Sequence, residues 1–272
     1  MIYRSKAPLR IGLAGGGTDV SPYSDLYGGA ILNATISLSA YANIEPISEK
    51  KIIVEALDRK ERQQFEWMPA LPVDGTLDLL KGVYNRIYRD YQLPATGFRL
   101  STFVDAPAGS GLGTSSTLVV AIVGAFTEML KLPLGDYDIA HLAYEIERND
   151  LQLAGGRQDQ YAATFGGVNY MEFYGKDQVI VNPLRIRPQY MHELENNLVL
   201  YFTATSRESA AIIKEQVKNV NNNNEQSIEA MHQLKEQARM MKEALLKGRL
   251  DAFGEILDFG FQQKRLMADN IS

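Results

Sequence analysis

The rhythm of apolar and polar positions changes several times along the chain. Residues 8–14 are apolar apart from Arg10 and read as a strand, and Gly15, Gly16 and Gly17 after them predict a tight turn. Gly28 and Gly29 precede residues 30–41, a mostly apolar stretch of strand character, which residues 42–57 continue through Ile44, Ile47, Ile52, Ile53 and Val54. In residues 77–91, Leu80, Val83, Tyr84 and Ile87 fall three and four apart, which predicts a helix. Residues 98–104 are a further strand. Residues 118–130 are apolar nearly all round, the pattern of a buried core helix. Residues 136–153 are amphipathic, and residues 154–167 are broken by glycine. Strands are expected at 168–173 and 179–183, with a buried strand at 198–203. Residues 208–220 read as a helix, and Asn219 with Asn221 to Asn224 as a polar loop. Ile228, Met231, Leu234, Ala238, Met241 and Leu245 then recur at helical spacing until Gly248 ends the helix. Strands dominate the first part and helices the last, which predicts an α+β protein of two domains.

At 272 residues, the chain has room for one large domain or two. It has no cysteine, so disulfides, a cysteine nucleophile and cysteine-ligated metals are excluded. A net charge of −5 and a pI near 5.4 argue against a nucleic-acid binder, while leaving room for a local basic pocket around an anionic metabolite. The longest strongly apolar stretch, residues 118–126, is far short of the ~20 residues a spanning helix needs. The N-terminal residues around Arg4, Lys6 and Arg10 lack the apolar core of a secretory signal. A cytoplasmic location is therefore expected, with no membrane and no nucleic-acid partner. His141, His192 and His232 have no metal-binding spacing, and Trp67 is expected in packing.

The segment from Ala106 to Thr117 carries the clearest chemistry. Gly109, Gly111 and Gly113 alternate with Ser110 and Leu112, hydroxyls follow at Thr114, Ser115 and Ser116, and the core helix starts at once. Glycines let the backbone approach an anion, and a helix start presents free N–H groups and the positive end of its dipole. A plain loop capped by a hydroxyl is the alternative, but the alternation and the buried helix favour phosphate. The segment is not a Walker loop, since no Lys precedes the hydroxyls. It is not a dinucleotide fingerprint either, since the third glycine is missing at the required spacing.

Two carboxylates compete for a metal role on the amphipathic helix. Glu145 shares a face with Asp138, His141, Arg148, Asn149 and Gln152, a solvated stripe. Glu147 shares a face with Ala140, Ala143 and Leu151 and points inward. An inward carboxylate is costly unless it is paired or metal-bound, so Glu147 is the candidate Mg²⁺ ligand.

The segment Pro107-Ala-Gly-Ser-Gly-Leu-Gly-Thr-Ser-Ser116 resembles the second signature of the GHMP kinases, and Ala7-Pro-Leu-Arg-Ile-Gly-Leu-Ala-Gly-Gly-Gly-Thr-Asp19 resembles the first. The likeness covers nearly the whole chain. Within the family it is most like the sugar 1-kinases of the heptose 7-phosphate type, and next like fucokinase domains. The resemblance implies a ribosomal-protein-S5-like N-terminal domain over residues 1–185. A ferredoxin-like C-terminal domain would begin at 186–272 and be incomplete there, since the family's third glycine-rich signature is absent. It implies ATP and Mg²⁺ as cofactors. Pro107, Gly109, Ser110, Gly111, Leu112, Gly113, Thr114, Ser115 and Ser116 would bind ATP, with Ser115 and Glu147 on the metal. The family's metal-binding Glu lies twelve positions before its catalytic Asp, as Glu147 lies before Asp159.

In galactokinase-like members, the residue matching Asp159 accepts the sugar hydroxyl proton. Read without the family, Asp159 is a loop Asp capping the next helix. Arg10 matches an arginine near that Asp and the γ-phosphate, and is otherwise a strand-edge residue. Gly16, Gly17, Thr18 and Asp19 would contact the sugar, with Gln158 beside them. Arg157 and Arg207, with Lys214 nearby, are expected to clamp a second, substrate-borne phosphate. The expected reaction is ATP-dependent phosphorylation of the anomeric hydroxyl of D-glycero-D-manno-heptose 7-phosphate to the 1,7-bisphosphate, for nucleotide-heptose and surface polysaccharide synthesis. The rivals are a 1-kinase for fucose or galactose and a non-catalytic homologue that binds sugar and ATP.

Overall fold

The computed structural model describes residues 1–201 and 209–268. In chain order the elements are β1 (Tyr3–Ala14), α1 (Tyr23–Tyr27), β2 (Gly29–Ile47), β3 (Lys51–Ala56), β4 (Glu61–Glu66), α2 (Asp78–Tyr91), β5 (Gly97–Val104), α3 (Thr114–Leu130) and α4 (Asp136–Glu145). A π turn (Ile146–Asp150) follows, then α5 (Gln158–Phe165), β6 (Val168–Phe173), β7 (Val179–Pro183) and α6 (Pro188–Asn197). The described chain closes with α7 (Ser209–Asn221), α8 (Glu225–Lys247) and α9 (Phe253–Met267). Among the described residues, no helix is long and apolar enough to cross a membrane.

The chain divides into two compact units that interleave in sequence. The first takes in residues 1–9, 36–153 and 159–165, and the second residues 10–35, 154–158 and 166–272. A single boundary at 185/186 does not describe them. Strands β6 and β7 group with the C-terminal helices because Tyr170 shares a core with Ala238, Met241 and Phe253.

In the first unit, β3 pairs antiparallel with β4 and parallel with β5, which pairs antiparallel with the C-terminal half of β2 (Ala40 opposite Val104). Alternation along β3 sends Ile52 and Val54 inward, where they meet Leu80, Val83 and Ile87 of α2 and Val119, Ile122, Val123 and Phe126 of α3. Helix α3 is buried on nearly every side, as its apolar run predicts. Each fully buried Val, Ile or Phe contributes about 1.5–3 kcal/mol, so this helix anchors whatever is mounted on its N-terminus.

In the second unit, the N-terminal half of β2 pairs with β6 (Gly29 opposite Phe173), and β6 pairs with β7. A separate core joins Leu13, Leu32 and Tyr170 to Leu194, Met241, Leu245 and Ile256. Helix α8 starts at Asn224, whose side chain accepts the Ser227 N–H at 3.0 Å, and ends at Gly248 in the left-handed conformation (φ 68°).

Several elements depart from expectation. The helix expected over residues 136–153 is α at its start and π from Ile146. The stretch read as glycine-broken contains α5. The polar strand β4 and helix α6 carry no apolar run that would announce them. The expected buried strand at 198–203 is not one over its described part. Residues 198–201 have no regular structure, and Val199 and Tyr201 are 85% and 83% exposed. A strand needs a neighbour for its backbone, and no described strand pairs with this segment. The remainder of that segment lies outside the described residues.

Candidate active site

The glycine loop stands at the entrance to α3, in the first unit. Gly109, Gly111 and Gly113 adopt φ of +77°, +78° and +75°, each separated by one residue of ordinary conformation. Alternation of left- and right-handed residues turns successive N–H groups to one side, the concave arrangement that receives anions. Gly113 is also the N-cap of α3, so the loop feeds into the helix's free N–H groups. The Ser110 hydroxyl is buried in the loop without a hydrogen-bond partner, while Leu112 is buried and anchors it.

Beside the loop lies a cavity of about 390 Å³, large enough for a nucleoside. Ala108, Gly109, Thr114 and Ser115 line it on the side of the glycine loop, and Leu77, Leu80, Val104 and Leu118 form its apolar wall. Trp67 does not line it but packs edge-on against Tyr88.

Glu147 faces the same loop from the π turn. It is 1% exposed. Ser115 donates to its Oε1 at 3.2 Å, and Gln160 donates to its Oε2 at 2.5 Å while also reaching the Ser116 hydroxyl at 3.1 Å. Burial pushes its carboxyl above the usual range. Arg148, Ser116 and Gln160 oppose that shift, and the nearby Asp159 adds to it. Glu145 instead reaches outward to Arg86 and to His141 at 3.7 Å. A buried carboxylate and a serine hydroxyl beside a glycine loop are hard oxygen donors. That set suits Mg²⁺, which takes one or two protein ligands and fills its sphere with phosphate oxygens and water. Among the described residues, no group of three or more acidic or histidine side chains forms a metal cluster.

Asp159 lies in the first turn of α5, half-buried. At the entrance to that helix, the Asp19 Oδ2 accepts the N–H groups of Arg157 at 2.8 Å and Gln158 at 3.0 Å. The approach needs glycine at 156, where a Cβ would stand 1.9 Å from the same oxygen.

The Gly15–Asp19 segment of the second unit follows β1, on which Arg10 is half-buried. Thr18 is fully buried. Its hydroxyl lies 2.9 Å from the carbonyls of Gly15 and Ala30 and accepts the Ala30 N–H at 3.1 Å, so it staples the turn and does not face a solute. Gln237 and Gln216, from α8 and α7, hold the turn at Gly15 N–H and Gly17 carbonyl. Sequence reasoning missed both, since an isolated glutamine in an amphipathic helix gives no signal. Lys264 of α9 faces Gly16, with Nζ 3.1 Å from where a Cβ there would stand.

The expected phosphate clamp is corrected. The Arg157 side chain is 3% exposed, and its guanidinium is committed to Asp25, the Tyr174 carbonyl at 2.8 Å and the Ser24 hydroxyl at 3.2 Å. Its charge is met within the protein. Lys214 is exposed on α7, and Arg207 lies outside the described residues.

Residues 78–167 match the family described as GHMP kinases N terminal domain. The chain is 48% identical over 269 residues to the D-glycero-alpha-D-manno-heptose 7-phosphate kinase of Campylobacter jejuni, covering 99% of this chain and 79% of that protein. The chain belongs to the GHMP kinases. A crystal structure of a D-glycero-D-manno-heptose 1-phosphate kinase from Bacteroides thetaiotaomicron superposes with a TM-score of 0.85 at 53% identity, over 97% of this chain and 79% of that one. The L-fucokinase/L-fucose-1-P guanylyltransferase of Bacteroides fragilis is 26% identical, over 96% of this chain and 30% of its own length. The fold is that of the family, and this GHMP kinase is a sugar kinase with ATP as its phosphate donor.

Proposed function

We propose that the chain transfers the γ-phosphoryl group of Mg·ATP to the anomeric hydroxyl of D-glycero-D-manno-heptose 7-phosphate. The observation that carries the choice of acceptor is the likeness to the Campylobacter heptose 7-phosphate kinase, which runs the length of the chain. The N–H groups at Gly109, Gly111 and Gly113 cradle the phosphates, with Pro107, Ser110 and Leu112 shaping the loop. Thr114, Ser115 and Ser116 meet the phosphates at the start of α3, and the neighbouring cavity takes the adenosine. Ser115 and Glu147 hold Mg²⁺, which when bound balances the phosphate charge. Asp159 accepts the anomeric proton as that oxygen bonds to the γ-phosphorus and the bond to ADP breaks. Arg10 stabilises the transferred group's charge. Gly16, Gly17 and Gln158 line the acceptor, and Asp19, whose Oδ2 holds the Gln158 N–H, positions that edge of it. Because a reaction of this kind draws on ATP, we place it in the cytoplasm.

One observation favours a second reading, a neutral acceptor such as fucose: Arg157 is committed to Asp25. Under the first reading, the acceptor's own phosphate is met by Lys264, which faces Gly16, and by Arg207. Measuring kcat/KM for heptose 7-phosphate, heptose, mannose 6-phosphate, fucose and galactose, in wild type and in Lys264→Ala, separates the two. The first reading expects the phosphorylated heptose to lead by ~10³-fold, about 4 kcal/mol at ~1.4 kcal/mol per tenfold, with much of that lead lost in Lys264→Ala. A preference for fucose or galactose selects the second.

A further inference from the structure

Helix α2 grips the segment that carries Glu147 through contacts the reaction does not use. Residues Ile146–Asp150 form a π turn, in which the Leu151 N–H donates to the Ile146 carbonyl five residues back at 2.9 Å. Such a turn is less favourable than an α-helix in isolation and persists where its surroundings hold it. Here the surroundings lie on one face of α2, at positions 82, 86 and 89. Arg86 reaches Glu145 immediately before the π turn and Asp150 at its last residue, the latter at 3.1 Å, and also bonds Asp90 on its own helix at 2.5 Å. Arg89 adds a second contact to Asp150 at 3.3 Å. Gly82 leaves the hollow that Leu151 fills, since a Cβ there would stand 2.8 Å from the leucine Cδ1. Both ends of the π turn are therefore tied to α2. The Arg86 side chain is only 14% exposed. Burial opposes its charge, but hydrogen bonds to Asp90, Asp150 and Glu145 prevail and raise its pKa above the ordinary value.

Glu147 is the second residue of this turn. A π turn relaxing to α spacing rotates residues by up to ~100°, one α-helical step, and would swing Glu147 away from Ser115 and Gln160. We propose that Arg86 is a positioning residue: by tying Glu145 and Asp150 to α2, it holds the π turn that aims Glu147 at Ser115 and at the metal of the nucleotide complex. The proposal rests on the reading of Glu147 as a Mg²⁺ ligand.

Charge and position give opposite signs at Arg86. Acting through its charge alone, Arg86 would repel a nearby cation, and its removal would tighten metal binding. Acting as a positioner, its removal weakens metal binding. The full chain is compared as wild type, Arg86→Met, Arg86→Lys and Glu147→Gln. Three quantities are measured: the Mg²⁺ concentration for half-maximal ATP turnover, the binding of Mn²⁺ to the ADP complex by electron paramagnetic resonance, and the affinity for ADP without metal. Arg86→Met is expected to raise the Mg²⁺ requirement about 10-fold, the scale of losing a group that orients a metal ligand. Mn²⁺ affinity is expected to fall in parallel, and metal-free ADP affinity to stay within about twofold. Arg86→Lys keeps the charge but not the planar fork and is expected to fall between.

An unchanged or lowered metal requirement in Arg86→Met overturns the proposal, and so does an equal loss of metal-free ADP affinity. If Arg86→Met does not fold, Arg86→Lys decides, because charge alone predicts no change there. A Glu147→Gln protein with the wild-type requirement overturns the metal reading and the proposal with it. A raised requirement in Glu147→Gln with unmoved Arg86 variants overturns the proposal alone.

Discussion

A carboxylate inside a protein is costly until something answers its charge. Glu147 is buried among Ser115, Gln160 and Arg148, and burial still raises its pKa. In the proposed function, a divalent cation at the glycine loop answers that charge. Asp159 works differently: it is half-buried at the start of α5, where a carboxylate suits the helix dipole. Asp159→Asn keeps size and removes the basic oxygen. Its kcat is expected to fall by roughly 10²–10⁴, with acceptor KM within several-fold, the range for a positioned acid–base group. A kcat within tenfold of wild type would leave positioning and Arg10 as the main sources of rate. At this scale, legibility depended on distance along the chain. Glu145 and Glu147 differ by two helical steps, so periodicity separated them even though the helix becomes π at 146. The commitment of Arg157 to Asp25 joins positions 132 apart in sequence, and no local pattern announces such a pair.

At the scale of elements, the glycine loop and α3 are the parts most legible in the sequence. Alternating glycines require a backbone that other residues resist, and an all-round apolar helix can only be interior. Gly111 has open space around its Cα but a φ of +78°. Valine there would cost ~1–2 kcal/mol in backbone strain and would place a branched side chain against the phosphates. Gly111→Val is expected to keep the fold and lose ATP binding by calorimetry; normal ATP binding would remove the loop from the site. The segment before α2 is held by charge instead. Lys81 is fully buried and bonds Asp74 at 2.5 Å and Asp78 at 3.0 Å, beside the cavity. The Lys81 hydrogen bond, helped by the Thr76 N–H, holds the Asp74 carboxyl below its usual range. A lowered folded-state pKa adds stability above the ordinary carboxylate value of ~3.9, and that stability is lost as pH falls through the lowered one. Asp74→Asn should therefore melt below wild type at pH 6, with the gap closing as pH falls from about 4 toward 2. A gap that persists undiminished to the lowest pH contradicts the ion pair's role. Residues 198–201 have strand propensity without forming a strand, because propensity reports only a surface fit for pairing, and pairing needs a partner strand.

Across the whole molecule, two compact units each enclose a core of their own, and the chain passes from one to the other at 9/10, at 35/36 within β2, at 153/154, at 165/166 and at the 158–159 peptide bond. That bond joins Gln158, whose N–H is held by Asp19, to Asp159. The α+β class was legible in the order of strand and helix patterns, and the family in its two motifs. The interleaved division was not, because it depends on which strands share a core, and long-range contact leaves no periodic mark. The proposed reaction is phosphorylation of the anomeric oxygen of a heptose already carrying a phosphate. The most direct test is ³¹P nuclear magnetic resonance of the full chain with Mg·ATP and D-glycero-D-manno-heptose 7-phosphate. Each ATP consumed is expected to yield one ADP and one new sugar phosphate whose signal is split by the anomeric proton, with the original phosphate retained. ATP turnover without that signal, or a new phosphate on any other carbon, would contradict it.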